Sequence, residues 1–154
     1  VILTAMNTPV RVTKIFTFDT AHALLNYDGP CKNIHGHTYR LSVTLKGIPN
    51  QETGHVKNGM VIDFTDLKKI VQQEIIQDWD HALLLNETSS MKSAFHTGFE
   101  KVIFLSFQPT CENLLIEIKN RLCLRLEQPE YHLHSIRLEE TPTSYAEWHR
   151  SDET

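Results

Sequence analysis

Apolar and polar residues alternate with a period of two along three stretches of the chain and recur with a helical period along two others. In the first stretch Val10, Val12, Phe16, Phe18 and His22 share one parity, with Lys14 the exception, which predicts a long half-buried strand over 10–22. A bulge near Asp19 and Thr20 would shift the register of its far end. The turn cluster Asn26-Tyr27-Asp28-Gly29-Pro30 follows. Then His35, His37, Tyr39, Leu41, Val43 and Leu45 form the buried parity of a second strand; Gly36, Thr38, Arg40, Ser42 and Thr44 form the polar one. A hairpin with a long loop brings the end of the first strand beside the start of the second.

The stretch 48–59 reads as loop, and Met60-Val61-Ile62 as a short extended piece. Asp63 is a good helix N-cap, and Phe64, Leu67, Ile70, Val71 and Ile75 make an apolar stripe running to about Asp78. The segment 86–98 is polar and predicts a surface loop; the apolar run 101–107 is compatible with an extra edge strand. Thr110 caps a second helix, with Glu112 in its first turn and Cys111, Leu115, Ile118 and Leu122 on its buried stripe; Pro129 stops it. Over 131–140 the alternation returns, with His134, Ile136, Leu138 and Glu140 on one parity, and 145–150 supplies a last strand after a break at Thr141-Pro142-Thr143-Ser144. The order strand, strand, helix, helix, strand, strand predicts an α+β domain. It has an antiparallel four-stranded sheet with two helices on one face, spans 1–154 as a single domain, and has loose ends over 1–9 and 151–154.

Composition narrows the function classes. With 40% hydrophobic and 22% charged residues and a net charge of -4, the 154-residue chain has an ordinary globular balance and no basic run to meet a nucleic acid. No apolar stretch approaches the roughly 20 residues of a membrane span. The first residues lack the charged and apolar regions of a signal peptide. Three cysteines without a C-x-x-C spacing favour free thiols in a reducing cytoplasm.

The candidate chemistry sits at the hairpin end. His35 and His37 project to one face with Gly36 between them, and the hairpin brings His22 beside them. Three imidazoles and a vacant fourth position suit a catalytic zinc; Cys31 as a fourth ligand would make the site structural, and a hydrogen-bonded histidine core is the metal-free alternative. A thiolate close to a dication is also a competent base. Asp80-His81 is a weak signal on its own, more readily read as a pair at a helix end on the surface. Glu140 carries a carboxylate on the apolar parity, where it needs donors. An amino-pyrimidinone edge offers adjacent N–H groups, and water at the strand end is the simpler partner.

Six motifs occur in order: Phe18-x-x-Ala21-His22, Cys31-x-x-x-His35-Gly36-His37, Gly59-Met60-Val61-Ile62-Asp63-Phe64, Asp80-His81, Pro109-Thr110-x-Glu112-Asn113 and Glu140-Thr141-Pro142-Thr143-Ser144. Together they resemble the 6-pyruvoyltetrahydropterin synthase family, including its bacterial 6-carboxytetrahydropterin synthase branch, over nearly the whole chain. The resemblance implies the tunnelling fold, whose long hairpins join into trimeric barrels that stack in pairs as a hexamer. It implies that His22, His35 and His37 hold zinc, and that Cys31 abstracts a proton with Asp80 and His81 completing the catalytic group. It also implies that Glu140 anchors a pterin ring with Thr110 and Glu112 near it. The implied substrate is 7,8-dihydroneopterin triphosphate. The three-residue gap between Cys31 and His35 is more similar to the carboxy branch, which releases acetaldehyde and triphosphate on the way to queuosine; the pyruvoyl branch and a non-catalytic zinc module are the alternatives. The stretch 86–107 is long for the family core, and no motif identifies cations for the triphosphate.

Overall fold

The computed structural model describes residues 7–90, 92–95 and 100–153. The first and second strands, β1 (Val10–His22) and β2 (His35–Gly47), pair antiparallel in unbroken register from Val10↔Gly47 to His22↔His35. No bulge interrupts Asp19 and Thr20, so the parity that buries Phe16 and Phe18 also buries Thr20 and His22.

The sheet is larger than the alternation predicts. Two short strands, β3 (Ala82–Asn86) and β4 (Val102–Leu105), join β5 (Tyr131–Thr141) and β6 (Ser144–His149) in a six-stranded sheet of order β4-β3-β1-β2-β5-β6. β3 runs parallel to β1, and β4 runs parallel to β3, so the sheet is mixed. This corrects the expected antiparallel four-stranded sheet. The reason is local: Ala82-Leu83-Leu84-Leu85 and Val102-Ile103-Phe104-Leu105 are continuous apolar runs, which carry no period of two to mark them as strands. The buried Thr20 hydroxyl donates to the Ala82 carbonyl at 2.9 Å, fixing β3 against the end of β1.

One sheet face carries the core. Helix α1 (Phe64–Val71) begins at Asp63, whose carboxylate accepts from the Thr65 amide at 2.8 Å. It continues through a π-helical stretch (Gln72–Ile76) into a last turn, α2 (Gln77–Trp79). The wider π turn holds Ile75, Ile76 and Trp79 on the buried side after Leu67 and Val71. A short helix α3 (Lys92–Phe95) lies within the stretch predicted as loop. Helix α4 (Cys111–Cys123), capped by Thr110 accepting from the Asn113 amide at 3.3 Å, buries Leu114, Leu115, Ile118 and Leu122 against β5 and β6. These residues share one core with Phe18, Tyr39, Leu41, Val43, Ile136 and Leu138. The loose start expected for 1–9 falls outside the described residues over 1–6, as do parts of 86–98. Among the described residues no helix is long and apolar enough to cross a membrane.

Candidate active site

Directly opposed residues of an antiparallel pair share a face, so the His22↔His35 register sets these two imidazoles side by side, with His37 two residues on. Their ring centroids are 4.5 Å apart for His22 and His35, 5.2 Å for His22 and His37, and 5.0 Å for His35 and His37. Two backbone carbonyls set the proton positions. His22 Nδ1 lies 2.7 Å from the Pro109 carbonyl, and His35 Nδ1 lies 2.8 Å from that of Asn33. A carbonyl only accepts, so in the neutral ring each Nδ1 carries the hydrogen and each Nε2 presents a lone pair. Those two Nε2 atoms then face each other at 3.0 Å with no proton between them. His37 Nε2 is buried and has no hydrogen-bond partner among the described residues.

A cation satisfies all three nitrogens at once. Tetrahedral geometry with metal–nitrogen distances of about 2.1 Å sets such nitrogens roughly 3.4 Å apart. The three imidazoles, with ligand atoms all within 4.8 Å of one another, fit a metal ion. Burial holds the His22 pKa below its ordinary value of 6.5, against the pull of the Pro109 carbonyl, which keeps the ring in the neutral form a metal requires.

Glu140 and Tyr39 close this end of the face. Tyr39, fully buried, donates its hydroxyl to Glu140 Oε1 at 3.1 Å, and that oxygen is 3.6 Å from His22 Nε2 and 3.7 Å from His37 Nε2. Burial pushes the Tyr39 phenol far above its ordinary range, and the neighbouring Glu140 pushes the same way. Cys31 belongs to the loop that leads into β2. It sits half-buried in the 3-10 turn Pro30–Lys32, whose loop is closed by the Leu24 amide donating to the Cys31 carbonyl at 2.9 Å. Burial, with Glu140 adding to it, pushes the rival thiol of Cys111 up to about 11. Thr110 uses its hydroxyl as the α4 cap, and Glu112 is exposed on the first turn.

Asp80 and His81 lie elsewhere. The helix ends at Asp80, and His81 takes a left-handed conformation, φ 58°, that turns the chain into β3. The Asp19 amide donates to Asp80 Oδ1 at 2.9 Å, the His81 amide donates to the Asp19 carbonyl at 2.6 Å, and His81 Nδ1 lies 3.0 Å from Asp80 Oδ2. Burial raises the Asp80 pKa, but the Asp19 amide and His81 outweigh it and leave the carboxyl below its ordinary range. The Lys101 ammonium donates to the carbonyls of Gln77, at 2.9 Å, and Asp80, at 2.5 Å. Asp19 has the opposite parity to His22, so this couple belongs to the other face of the sheet. There it borders a cleft of about 870 Å³ lined by Ala21, Gly36, His37, Thr38, Leu83 and Lys101. Among the described residues His22, His35, His37, Tyr39 and Glu140 form one cluster, and Asp19, Asp80 and His81 form a second. Sequence reasoning missed Tyr39, which its parity with His35 and His37 could have flagged. It also missed Asn33 and Pro109, which act through backbone carbonyls and leave no side-chain signal, and Asp19, whose carboxylate clusters with Asp80 and His81.

The geometry first defines a class: a sheet protein whose hairpin end carries a three-histidine cluster that could hold a metal ion. The whole chain then defines the family. It belongs to the 6-pyruvoyl tetrahydropterin synthase family, whose profile matches residues 11–151. It is 39% identical over 142 residues to the 6-carboxy-5,6,7,8-tetrahydropterin synthase of Haemophilus influenzae, covering 90% of this chain and 97% of that one. Identity to the protein of the same name from Rickettsia bellii is 30%, covering 90% and 99%. Among solved structures, 6-pyruvoyl tetrahydropterin synthase of Caenorhabditis elegans superposes with a TM-score of 0.71 at 24% identity, covering 95% of this chain and 99% of that one. That likeness supports the mixed six-stranded fold.

Proposed function

We propose that the chain converts 7,8-dihydroneopterin triphosphate to 6-carboxy-5,6,7,8-tetrahydropterin, releasing acetaldehyde and triphosphate, as a zinc-dependent lyase of queuosine biosynthesis in the cytoplasm. The observation that carries this reading is the 39% identity, over nearly the full length of both chains, to a relative named for that product. A relative named 6-pyruvoyl tetrahydrobiopterin synthase, from Dictyostelium discoideum, is 29% identical and covers 74% of the chain, which makes the pyruvoyl product the weaker alternative.

His22, His35 and His37 would hold the zinc through Nε2, with Pro109 and Asn33 fixing two of the tautomers. When bound, zinc supplies Lewis acidity toward side-chain hydroxyls and acidifies the neighbouring C–H. The Cys31 thiolate takes that proton. Glu140 accepts N–H donors of the pterin, and Thr110 and Glu112 stand at the same helix start. Asp80 and His81 supply a second proton-transfer couple, with Asp80 ionised and orienting the imidazole. Because that couple lies on the opposite sheet face, the complete site is formed between copies of the chain, in the hexamer of two stacked trimers that the family resemblance implies. Zinc-loaded protein incubated with 7,8-dihydroneopterin triphosphate and analysed by mass spectrometry tests the reading. 6-Carboxytetrahydropterin with acetaldehyde is expected. 6-Pyruvoyltetrahydropterin would move the chain to the other branch, and unchanged substrate would overturn both.

A further inference from the structure

Glu140 is assigned to the pterin ring by resemblance, yet its carboxylate is turned toward the imidazoles. Oε1 stands 3.6 Å from His22 Nε2, whose lone pair the Pro109 carbonyl fixes, and 3.7 Å from the buried Nε2 of His37, which has no hydrogen-bond partner among the described residues. The backbone accounts for this aim. The register between β5 and β6 slips between Glu139 and Thr141, so Glu140 is the extra residue of a bulge, and bulges redirect side chains. A rigid donor holds the result. Tyr39 is 0% exposed and stacked on Phe18 at 5.5 Å, with its edge toward His22 and His37, and it gives its hydroxyl to the same Oε1.

Charge explains what this arrangement is for. The lone pair of His22 Nε2 and the acceptor oxygen of Glu140 face the same space. A dication among the three nitrogens becomes the largest local charge and turns the carboxylate into the nearest anionic oxygen, in a site shielded enough for the attraction to exceed its value in water. Carboxylate oxygen is an ordinary zinc ligand, and three protein nitrogens leave a fourth position for one.

We propose that Glu140, held by Tyr39, is the fourth protein ligand of the three-histidine metal in the substrate-free protein, and that it gives up this position to the N–H edge of an incoming pterin. This rests on the metal role of His22, His35 and His37 given above. One carboxylate cannot serve both partners fully. The metal therefore opens to substrate hydroxyls only when a ring with adjacent N–H donors has drawn Glu140 away, and rings lacking that edge leave it closed.

Cobalt(II) alone is the probe, read by its binding isotherm and visible absorption in the full-length protein. Relative to wild type, Glu140→Gln is expected to bind cobalt roughly ten- to a hundred-fold more weakly, with an altered ligand-field spectrum. Glu140→Asp and Tyr39→Phe are expected to shift the same way by less. Adding neopterin to the wild-type cobalt protein is expected to move its spectrum toward that of Glu140→Gln. Wild-type affinity and spectrum in Glu140→Gln would overturn the proposal. So would a sulfur-to-cobalt charge-transfer band that disappears in Cys31→Ala, since the fourth position would then belong to the thiol. His35→Ala distinguishes the two levels of the argument. If it keeps cobalt with wild-type affinity, the three-histidine site itself is wrong, whatever Glu140 does.

Discussion

Two thiols compete for the role of base, and their surroundings separate them. Cys111 starts α4, where the helix dipole would favour a thiolate, but burial dominates and pushes its pKa up to about 11, so it stays protonated at neutral pH. Cys31 lies in the loop that leads into His35. Cys31→Ala is therefore expected to keep its metal and fold and to lose turnover by about a hundred- to ten-thousand-fold, while Cys111→Ala costs far less. Steady-state assay of both variants, with metal content measured in parallel, decides the matter; normal turnover by Cys31→Ala would refute the role. His22 gives a pH dependence. Its folded pKa is held below 6.5, so the unfolded chain takes up the proton first as pH falls, and the metal-free protein loses stability as pH drops through that value. The urea midpoint is expected to fall between about pH 7.5 and about pH 5.5, and to fall less in His22→Gln. Equal drops in the two proteins would remove His22 as the cause.

The elements show where pattern succeeds and where it stops. Strict alternation in β1 and β2 was enough to set three imidazoles on one face, because their register runs unbroken to His22↔His35. It also gave Glu140 the right parity, although the bulge that aims it has no marker in the sequence. The apolar run 101–107 pointed to an edge strand, which β4 is, but β3 escaped because a run such as Leu83-Leu84-Leu85 reads the same for a strand or a buried helix. Their place in the fold rests on packing. Leu84 is fully buried, opposite His22 in the register, and Leu84→Ala is expected to cost about 2–5 kcal/mol in chemical denaturation. A loss under about 1 kcal/mol would mean that β3 contributes little to the folded core.

At the level of the whole molecule, the two candidate groups face apart across one sheet, and both sheet edges, β4 and β6, are without a neighbouring strand among the described residues. Open edges invite pairing with another chain. Under the proposed function the imidazole face of one copy meets the Asp80–His81 face of another. Inactive Cys31→Ala and inactive His81→Ala proteins, unfolded together and refolded as a mixture, are then expected to recover part of the wild-type rate, since some junctions receive both intact groups. A mixture as inactive as its components, with mixed oligomers demonstrated by mass spectrometry, would place both groups in one chain.

The contact between His22 Nδ1 and the Pro109 carbonyl joins residues 87 positions apart and ties the hairpin to the first turn of α4. Whatever binds the other nitrogen of that ring strengthens this tie, and by reciprocity whatever seats the helix strengthens the binding. Under the proposed function a metal at these imidazoles and α4 are then thermodynamically linked through a single imidazole. Slower hydrogen exchange at Asn113 and Leu114 on metal addition would register the linkage, at amides that themselves never touch the ion.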